Sequence, residues 1–166
     1  MSYPTSTQTA FPRSPGEPTG TECWHTDESY TPTPSFANLL YGIEVPAVGG
    51  ETLFANMYAA YDALSIADQQ RYDALTVVHS WEQSRLKSGS HPPSDEENRA
   101  APPILHPMVR THPATGRKAR YIGTHPSHIE GMPIAEGRTL LNDLLGYATQ
   151  DDFIIANQWH KEDFLV

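Results

Sequence analysis

The chain is 166 residues long with a formal net charge of −9, 38% hydrophobic residues, 15 prolines and a pI near 5.2. That length suits a single domain with a core of ordinary size, and the acidic balance argues against a nucleic-acid or anionic-membrane surface, leaving small molecules or proteins as partners. The one cysteine, Cys23, excludes an internal disulfide, and no run approaches the roughly 20 apolar residues of a bilayer span, so a soluble cytoplasmic setting is the expectation.

Residues 1–20 are rich in Pro, Ser and Thr without periodicity and read as a disordered tail, with residues 21–166 as the folded part. A strand is expected over Thr21–Tyr30, broken by the Thr-Pro-Thr-Pro run that follows it. A buried strand over Phe36–Val45, a Gly49-Gly50 turn and a short strand over Leu53–Ala55 come next. Asn56 and Ser65 each offer a side-chain oxygen to free backbone N–H groups and predict helices running to about Leu64 and Leu75. Tyr58, Tyr61 and Leu64 recur at helical spacing and read as core.

Thr76–Trp81 reads as a strand, and Glu82–Pro103 as a long polar loop of the kind that serves as a lid or stays disordered. Ile104–His112 and Arg117–Gly123 flank a Pro-Ala-Thr-Gly turn and predict a hairpin. Ile134–Tyr147 puts Leu140, Leu141, Leu144 and Leu145 on one face with Glu136, Asn142 and Asp143 away from it, the pattern of an amphipathic helix. Phe153–Trp159 and Phe164–Val166 close the chain as strands. The fold class is mainly β with flanking helices.

The candidate chemistry starts at His25 and Asp27. In an extended backbone residues i and i+2 share a face, so an imidazole and a carboxylate converge there, as two of the three ligands in a 2-His-1-carboxylate site for Fe(II) do. An H-x-[DE] pair arises about once by chance in a chain of this composition. This chain has three, at His25/Asp27, His128/Glu130 and His160/Glu162, and His25/Asp27 is the one framed by strands and a Gly-Gly return. Cys23 reads as a small packed residue, and His79, His106, His112, His125 and His128 share no convincing metal spacing, so no second metal is expected.

W-H-T-D, then L-L-Y-G-I-E-V-P-A-V-G-G-E-T-L-F-A-N-M-Y-A-A-Y-D-A-L, L-H-P-M-V-R-T-H-P-A-T-G-R-K-A-R-Y-I-G and H-I-E-G-M-P-I-A-E-G-R-T-L-L resemble, in order, the taurine dioxygenase and chlorophenoxyacetate dioxygenase family. The resemblance covers roughly Gly20–Val166 and leans, through Y-I-G-T-H-P-S-H-I-E-G, toward the chlorophenoxyacetate branch. It implies an incomplete double-stranded β-helix (jelly roll, cupin-like) and an Fe(II)- and 2-oxoglutarate-dependent dioxygenase. The implied reaction uses O2, releases succinate and CO2, and hydroxylates a small organic acid of the aryloxyalkanoate, sulfonate or sulfate ester class.

By the same resemblance His25 and Asp27 are the catalytic metal ligands, and the Thr52 hydroxyl binds a carboxylate oxygen of 2-oxoglutarate. Trp24, Tyr30, Ser84 and Tyr121 are candidates to line the pocket, and the Glu82–Pro103 loop to cover it. Arg110 and Arg117 read as surface residues. In the family a second His and an Arg follow the segment resembling Trp159–Val166, so the chain is expected to be an internal piece of an enzyme. The rival reading is an inactive fragment or a β-sandwich binding module lacking that His and Arg, and the oligomeric state is open.

Overall fold

The computed structural model describes residues 23–166, so the tail expected over 1–20 and the first two residues of the expected Thr21–Tyr30 strand lie outside the described residues. Among those described, nine strands and five α-helices alternate in a mixed α/β arrangement. They run β1 (Leu40–Tyr41), β2 (Thr52–Ala55), α1 (Met57–Asp62), α2 (Ile66–Asp73), β3 (Thr76–His79), α3 (Trp81–Lys87), α4 (Asp95–Ala100) and β4 (Ile104–Pro107). β5 (Val109–Thr111), β6 (Lys118–Arg120), β7 (Pro126–Ile129), α5 (Ile134–Ala148), β8 (Ile154–Asn157) and β9 (Phe164–Leu165) follow.

Every strand pairing is antiparallel. β4-β3-β7 form the central sheet and β5-β6 a hairpin; of the first strand expected there, Ile104–His112, only Val109–Thr111 enters it, because Ile104–Pro107 pairs with β3 instead. β1-β9 and β2-β8 pair early segments of the described chain with its end. α5 lies on β7 and α1 on β6, because each has an apolar stripe to bury. Val77 and Ile129, cross-strand partners in the central sheet, are both fully buried, and the core extends through Tyr61, Met108, Leu141 and Leu144. Among the described residues no helix is long and apolar enough to cross a membrane.

Local chemistry places the helix starts. Asn56 accepts the Ala59 N–H at 3.0 Å and Ser65 the Asp68 N–H at 3.1 Å, as the two caps predict. Ser80 accepts the Gln83 N–H at 3.3 Å, so β3 stops at His79 and Trp81, expected in the strand, opens α3 instead. The long loop expected over Glu82–Pro103 is also corrected, since it contains most of α3 and all of α4. Ser94 and Glu97 form a reciprocal capping box there, with Glu97 N–H donating to Ser94 Oγ at 3.2 Å and Ser94 N–H to Glu97 Oε2 at 2.7 Å.

Two expected strands shrink. Only Leu40–Tyr41 of the Phe36–Val45 run finds a partner, in Phe164–Leu165, and Phe36, Leu39, Tyr41 and Ile43 are exposed. Cys23–Tyr30 is not a strand: Glu28 adopts φ 54°, and its carbonyl accepts the Thr31 N–H at 2.8 Å, which closes a turn. β7, which the hydrophobic pattern did not announce, pairs with β3 and completes the central sheet.

Beside that sheet His79 stacks on Tyr121 with ring centroids 5.1 Å apart, and His106 meets both rings edge-on. Burial, then the neighbouring positive groups, pushes His79 well below the usual histidine range; burial, then the charge of Arg110, lowers His106. Such depressed groups contribute stability in full above the unfolded histidine value of about 6.5 and lose it as pH falls toward their folded values. The urea midpoint is therefore expected to hold between pH 8 and 7 and to drop between pH 6.5 and 5, less steeply in His79→Asn; an unchanged slope in that variant contradicts the assignment.

Gly137 in α5 packs so tightly on β7 that a Cβ there meets Ile129 N at 2.9 Å, whereas Gly146 in the same helix has nothing within 4 Å. Gly146→Ala is expected to stabilise by about 0.5–1 kcal/mol through helix propensity. Gly137→Ala is expected to destabilise by about 1–3 kcal/mol despite the same propensity gain, because the sheet must shift. Chemical denaturation of the pair checks the opposite signs.

Candidate metal centre

The turn that replaces the expected strand still brings His25 and Asp27 together. His25 Nδ1 donates to the Cys23 carbonyl at 2.8 Å, which points Nε2 the other way, and Nε2 lies 3.1 Å from Asp27 Oδ1. The second Asp27 oxygen, Oδ2, accepts from Asn38 Nδ2 at 2.6 Å, so the carboxylate is turned with Oδ1 toward the imidazole. A backbone acceptor on the far imidazole nitrogen and an amide on the far carboxylate oxygen are the supports that ligands of a metal ion receive.

The spacing fits one ion. Two donors each about 2.1 Å from a metal and at right angles to each other stand about 3.0 Å apart, close to the separation seen. Among the described residues no group of three His, Cys, Asp or Glu side chains converges as metal ligands.

Electrostatics agree with a poised donor pair. Burial pulls the His25 pKa down, but the Asp27 hydrogen bond, the Cys23 carbonyl and the Asp27 charge together raise it. The His25 hydrogen bond lowers the Asp27 carboxyl against the opposing effect of burial, with smaller contributions from the charges of His25 and His125.

Neither rival pair converges. His128 is occupied with Ser127 at 3.0 Å, and the exposed His160 lies 3.4 Å from Asp163 rather than beside Glu162.

The turn is fixed from outside. Thr124 Oγ1 donates to the Trp24 carbonyl at 2.8 Å, and a Cβ on Gly123 meets Trp24 O at 3.0 Å and His25 Cα at 3.2 Å. The bare Gly123 thus lets the 122–124 backbone lie directly on the residue that carries the imidazole.

His25 and Asp27 open into a cavity of about 390 Å³ whose far wall is α3, with Trp81, Ser84 and Arg85 facing it. Tyr30 and His125 also line it, their ring centroids 5.0 Å apart, and burial pushes His125 down to about 4, so its imidazole is neutral at physiological pH.

The other candidates scatter. Tyr30 and Ser84 line the cavity as expected. Tyr121 is 1% exposed and packs in the histidine cluster, and Trp24 packs behind His25 against Ala55, Met57 and Ile122. Arg117 pairs with Asp62 at 2.8 Å on the surface, and Arg110 lies over the Tyr121 ring. Thr52 is fully buried on β2 and accepts the Trp159 indole N–H at 2.7 Å. It opens not into the His25/Asp27 cavity, as expected, but into a separate hollow of about 160 Å³ with Tyr41, Val45 and Trp159.

Asn38, Gly123, Thr124, Trp81 and Arg85 were not singled out from the sequence. Gly123 and Thr124 sit inside the Y-I-G-T-H stretch that carried the resemblance, and that was their available signal. Asn38, 11 residues past Asp27, had none.

A paired imidazole and carboxylate in a polar cavity, carried on antiparallel strands with helices outside, is an arrangement found in many metal-dependent enzymes. The family described as "Taurine catabolism dioxygenase TauD, TfdA family" matches residues 2–166, and the chain belongs to it. That match takes in most of the N-terminal stretch which the motif comparison had left outside.

Among curated proteins, the alpha-ketoglutarate-dependent 2,4-dichlorophenoxyacetate dioxygenase of Cupriavidus pinatubonensis is 40% identical over 145 residues, covering 87% of this chain and 50% of that protein. The (S)-phenoxypropionate/alpha-ketoglutarate-dioxygenase of Sphingobium herbicidovorans is 36% identical over 146 residues, 84% of this chain and 51% of that one. The chain thus spans about half the length of these relatives.

Among solved structures, AAD-2 in complex with Mn(II) and N-oxalylglycine superposes with a TM-score of 0.79 at 40% identity, over 85% of this chain and 55% of that one. A taurine dioxygenase from Burkholderia xenovorans gives a TM-score of 0.72 at 25% identity, over 96% and 52%.

Asn38→Ala leaves the Asp27 carboxylate free to rotate. It is expected to weaken Mn(II) binding by roughly 10–100-fold, the usual effect of removing a ligand's outer support, with an unchanged circular dichroism spectrum. Calorimetric titration showing wild-type affinity in this variant rules out the orienting role.

Proposed function

We propose that this chain forms the His-x-Asp half of an Fe(II)- and 2-oxoglutarate-dependent dioxygenase that hydroxylates a small organic acid of the aryloxyalkanoate, sulfonate or sulfate ester class. The observation that carries this is the 3.1 Å approach of His25 Nε2 to Asp27 Oδ1, supported on both sides and opening into the cavity beside α3. The names of the relatives support the class of co-substrate and substrate. The paired antiparallel strands with helices outside fit a part of a double-stranded β-helix, over residues 21–166 as the domain.

Bound Fe(II) supplies the oxygen chemistry, coupled to oxidative decarboxylation of 2-oxoglutarate to succinate and CO2. His25 Nε2 and Asp27 Oδ1 hold the ion, Cys23 O fixes the imidazole tautomer and Asn38 fixes the carboxylate. Thr52 is proposed to orient a carboxylate oxygen of 2-oxoglutarate. Its oxygen already accepts from Trp159, so its proton is free to donate, although the separate hollow it now lines must join the metal cavity for both to serve one co-substrate. The cavity walls present the substrate and exclude bulk water.

A His–Asp pair can form without a metal, so metal affinity is what separates this reading from a binding module. The test is Fe(II) titration of the chain under anaerobic conditions, beside 2-oxoglutarate-dependent succinate release with phenoxyacetate or taurine. His25→Ala and Asp27→Ala are each expected to cut Fe(II) affinity at least about 100-fold and to abolish succinate release in any chain that turns over. Wild-type metal affinity in both variants refutes the proposal.

A further inference from the structure

The metal pair occupies one wall of its cavity, and the chemistry of the opposite wall is not explained by holding an ion. That wall is α3 and the turn after it. Arg85 is the one permanent cation among the described residues that line the cavity. Its backbone carbonyl accepts both the Ser90 N–H at 2.9 Å and the Ser88 hydroxyl at 3.0 Å, which anchors the base of the side chain. Its Nε donates to the His91 carbonyl at 2.7 Å, and its guanidinium lies over the Trp81 ring with Cζ 5.0 Å from the centroid.

Those contacts hold the side chain without using its fork. Nη1 and Nη2 have no hydrogen-bond partner, and no carboxylate lies within ion-pair distance of Arg85 among the described residues. Glu97, the acid that feels its charge, hydrogen-bonds to Ser94 instead. An immobilised guanidinium with two free donors facing a cavity matches the geometry of a carboxylate or sulfonate. Beside it Tyr30 and Trp81, with ring centroids 6.3 Å apart, give the same cavity an aromatic wall.

We propose that Arg85 is the anion anchor of the cavity, taking the carboxylate or sulfonate of an aryl acid whose ring packs on Trp81 and Tyr30. The inference deepens the proposed function, and rests on it for the assignment of this cavity as the substrate site. The acidic group then selects the substrate and the aromatic wall selects its body, while the metal pair stays free for its ion. Lysine is a poor substitute, because it supplies charge without the planar fork.

The test is equilibrium binding of phenoxyacetate to the metal-free chain, by calorimetry and tryptophan fluorescence, with phenoxyacetamide as the uncharged isostere. Wild type is expected to bind the acid and to discriminate against the amide. Arg85→Gln is expected to weaken acid binding about 10–100-fold, the equivalent of one lost charge-assisted contact, and to leave amide binding and Fe(II) affinity unchanged. Arg85→Lys is expected to fall between, which separates lost recognition from a disturbed helix.

Equal binding of acid by Arg85→Gln and wild type, equal binding of acid and amide by wild type, or no saturable acid binding at all overturns the inference. Failure of the metal assignment shows separately, as His25→Ala keeping its Fe(II) affinity, and does not alter the Arg85 comparison.

Discussion

The structure depends on the contact between two stretches of backbone a hundred residues apart. Thr124 Oγ1 holds the Trp24 carbonyl, and Gly123 lies bare against His25. Had His25 and Asp27 lain on a strand, the pleat alone would have set them side by side. They lie instead on a turn, whose side-chain directions no ladder of hydrogen bonds dictates, so the geometry has to be imposed from a neighbour. That neighbour leads straight into β7, which pairs with β3 at the centre of the core and is pressed by α5 through the close approach of Gly137 to Ile129. Core packing is thereby transmitted to two ligand atoms in a few steps.

The rest of the support is polar. A buried or half-buried carboxylate and imidazole cost desolvation, and hydrogen bonds outside the pair help to compensate it, Cys23 O for His25 and Asn38 for Asp27. Nε2 and Oδ1 face each other. Across the cavity Arg85 follows the same logic: its Nε, its carbonyl and its face are all occupied, and its two terminal nitrogens are not.

How much of this could be read from the chain depended on range. Helices whose start is written in a capping residue, Asn56 and Ser65, were legible to within a residue or two, as was the α5 stripe, because their causes are local, whereas the Pro-Ala-Thr-Gly turn announced a hairpin but not the break that gives Ile104–Pro107 to β3. Ser94-x-x-Glu97 carries an equally local capping signal, masked by the polar, proline-containing stretch around it. Phe36–Val45 failed for a physical reason: apolar residues favour a strand, but a strand exists only where a partner lies, and the partner of Leu40–Tyr41 is set by Phe164–Leu165 far along the chain. That His25 and Asp27 come together was legible through their spacing and context, though the conformation that brings them together was not. Glu28 at φ 54° turns the chain, and neither its identity nor its neighbours announce a left-handed residue. Asn38 and Arg85 were invisible because their roles exist only in three dimensions.

The two ends of the molecule are held by different forces, and that division bears on function. Around β4-β3-β7 and α5 the holding force is apolar burial, and the His25/Asp27 turn is fastened to that side. Around β1-β9 and β2-β8 the backbone ladders carry more of the holding, with Tyr41, Ile155 and Phe164 exposed, while Ala55 of β2 reaches the core and the Trp159 indole bonds to Thr52. Small backbone ladders that bury little apolar surface open more readily than a packed core. The His25/Asp27 turn is therefore fastened to the packed core, while the Thr52 hollow lies beside the shorter, ladder-held strand pairs.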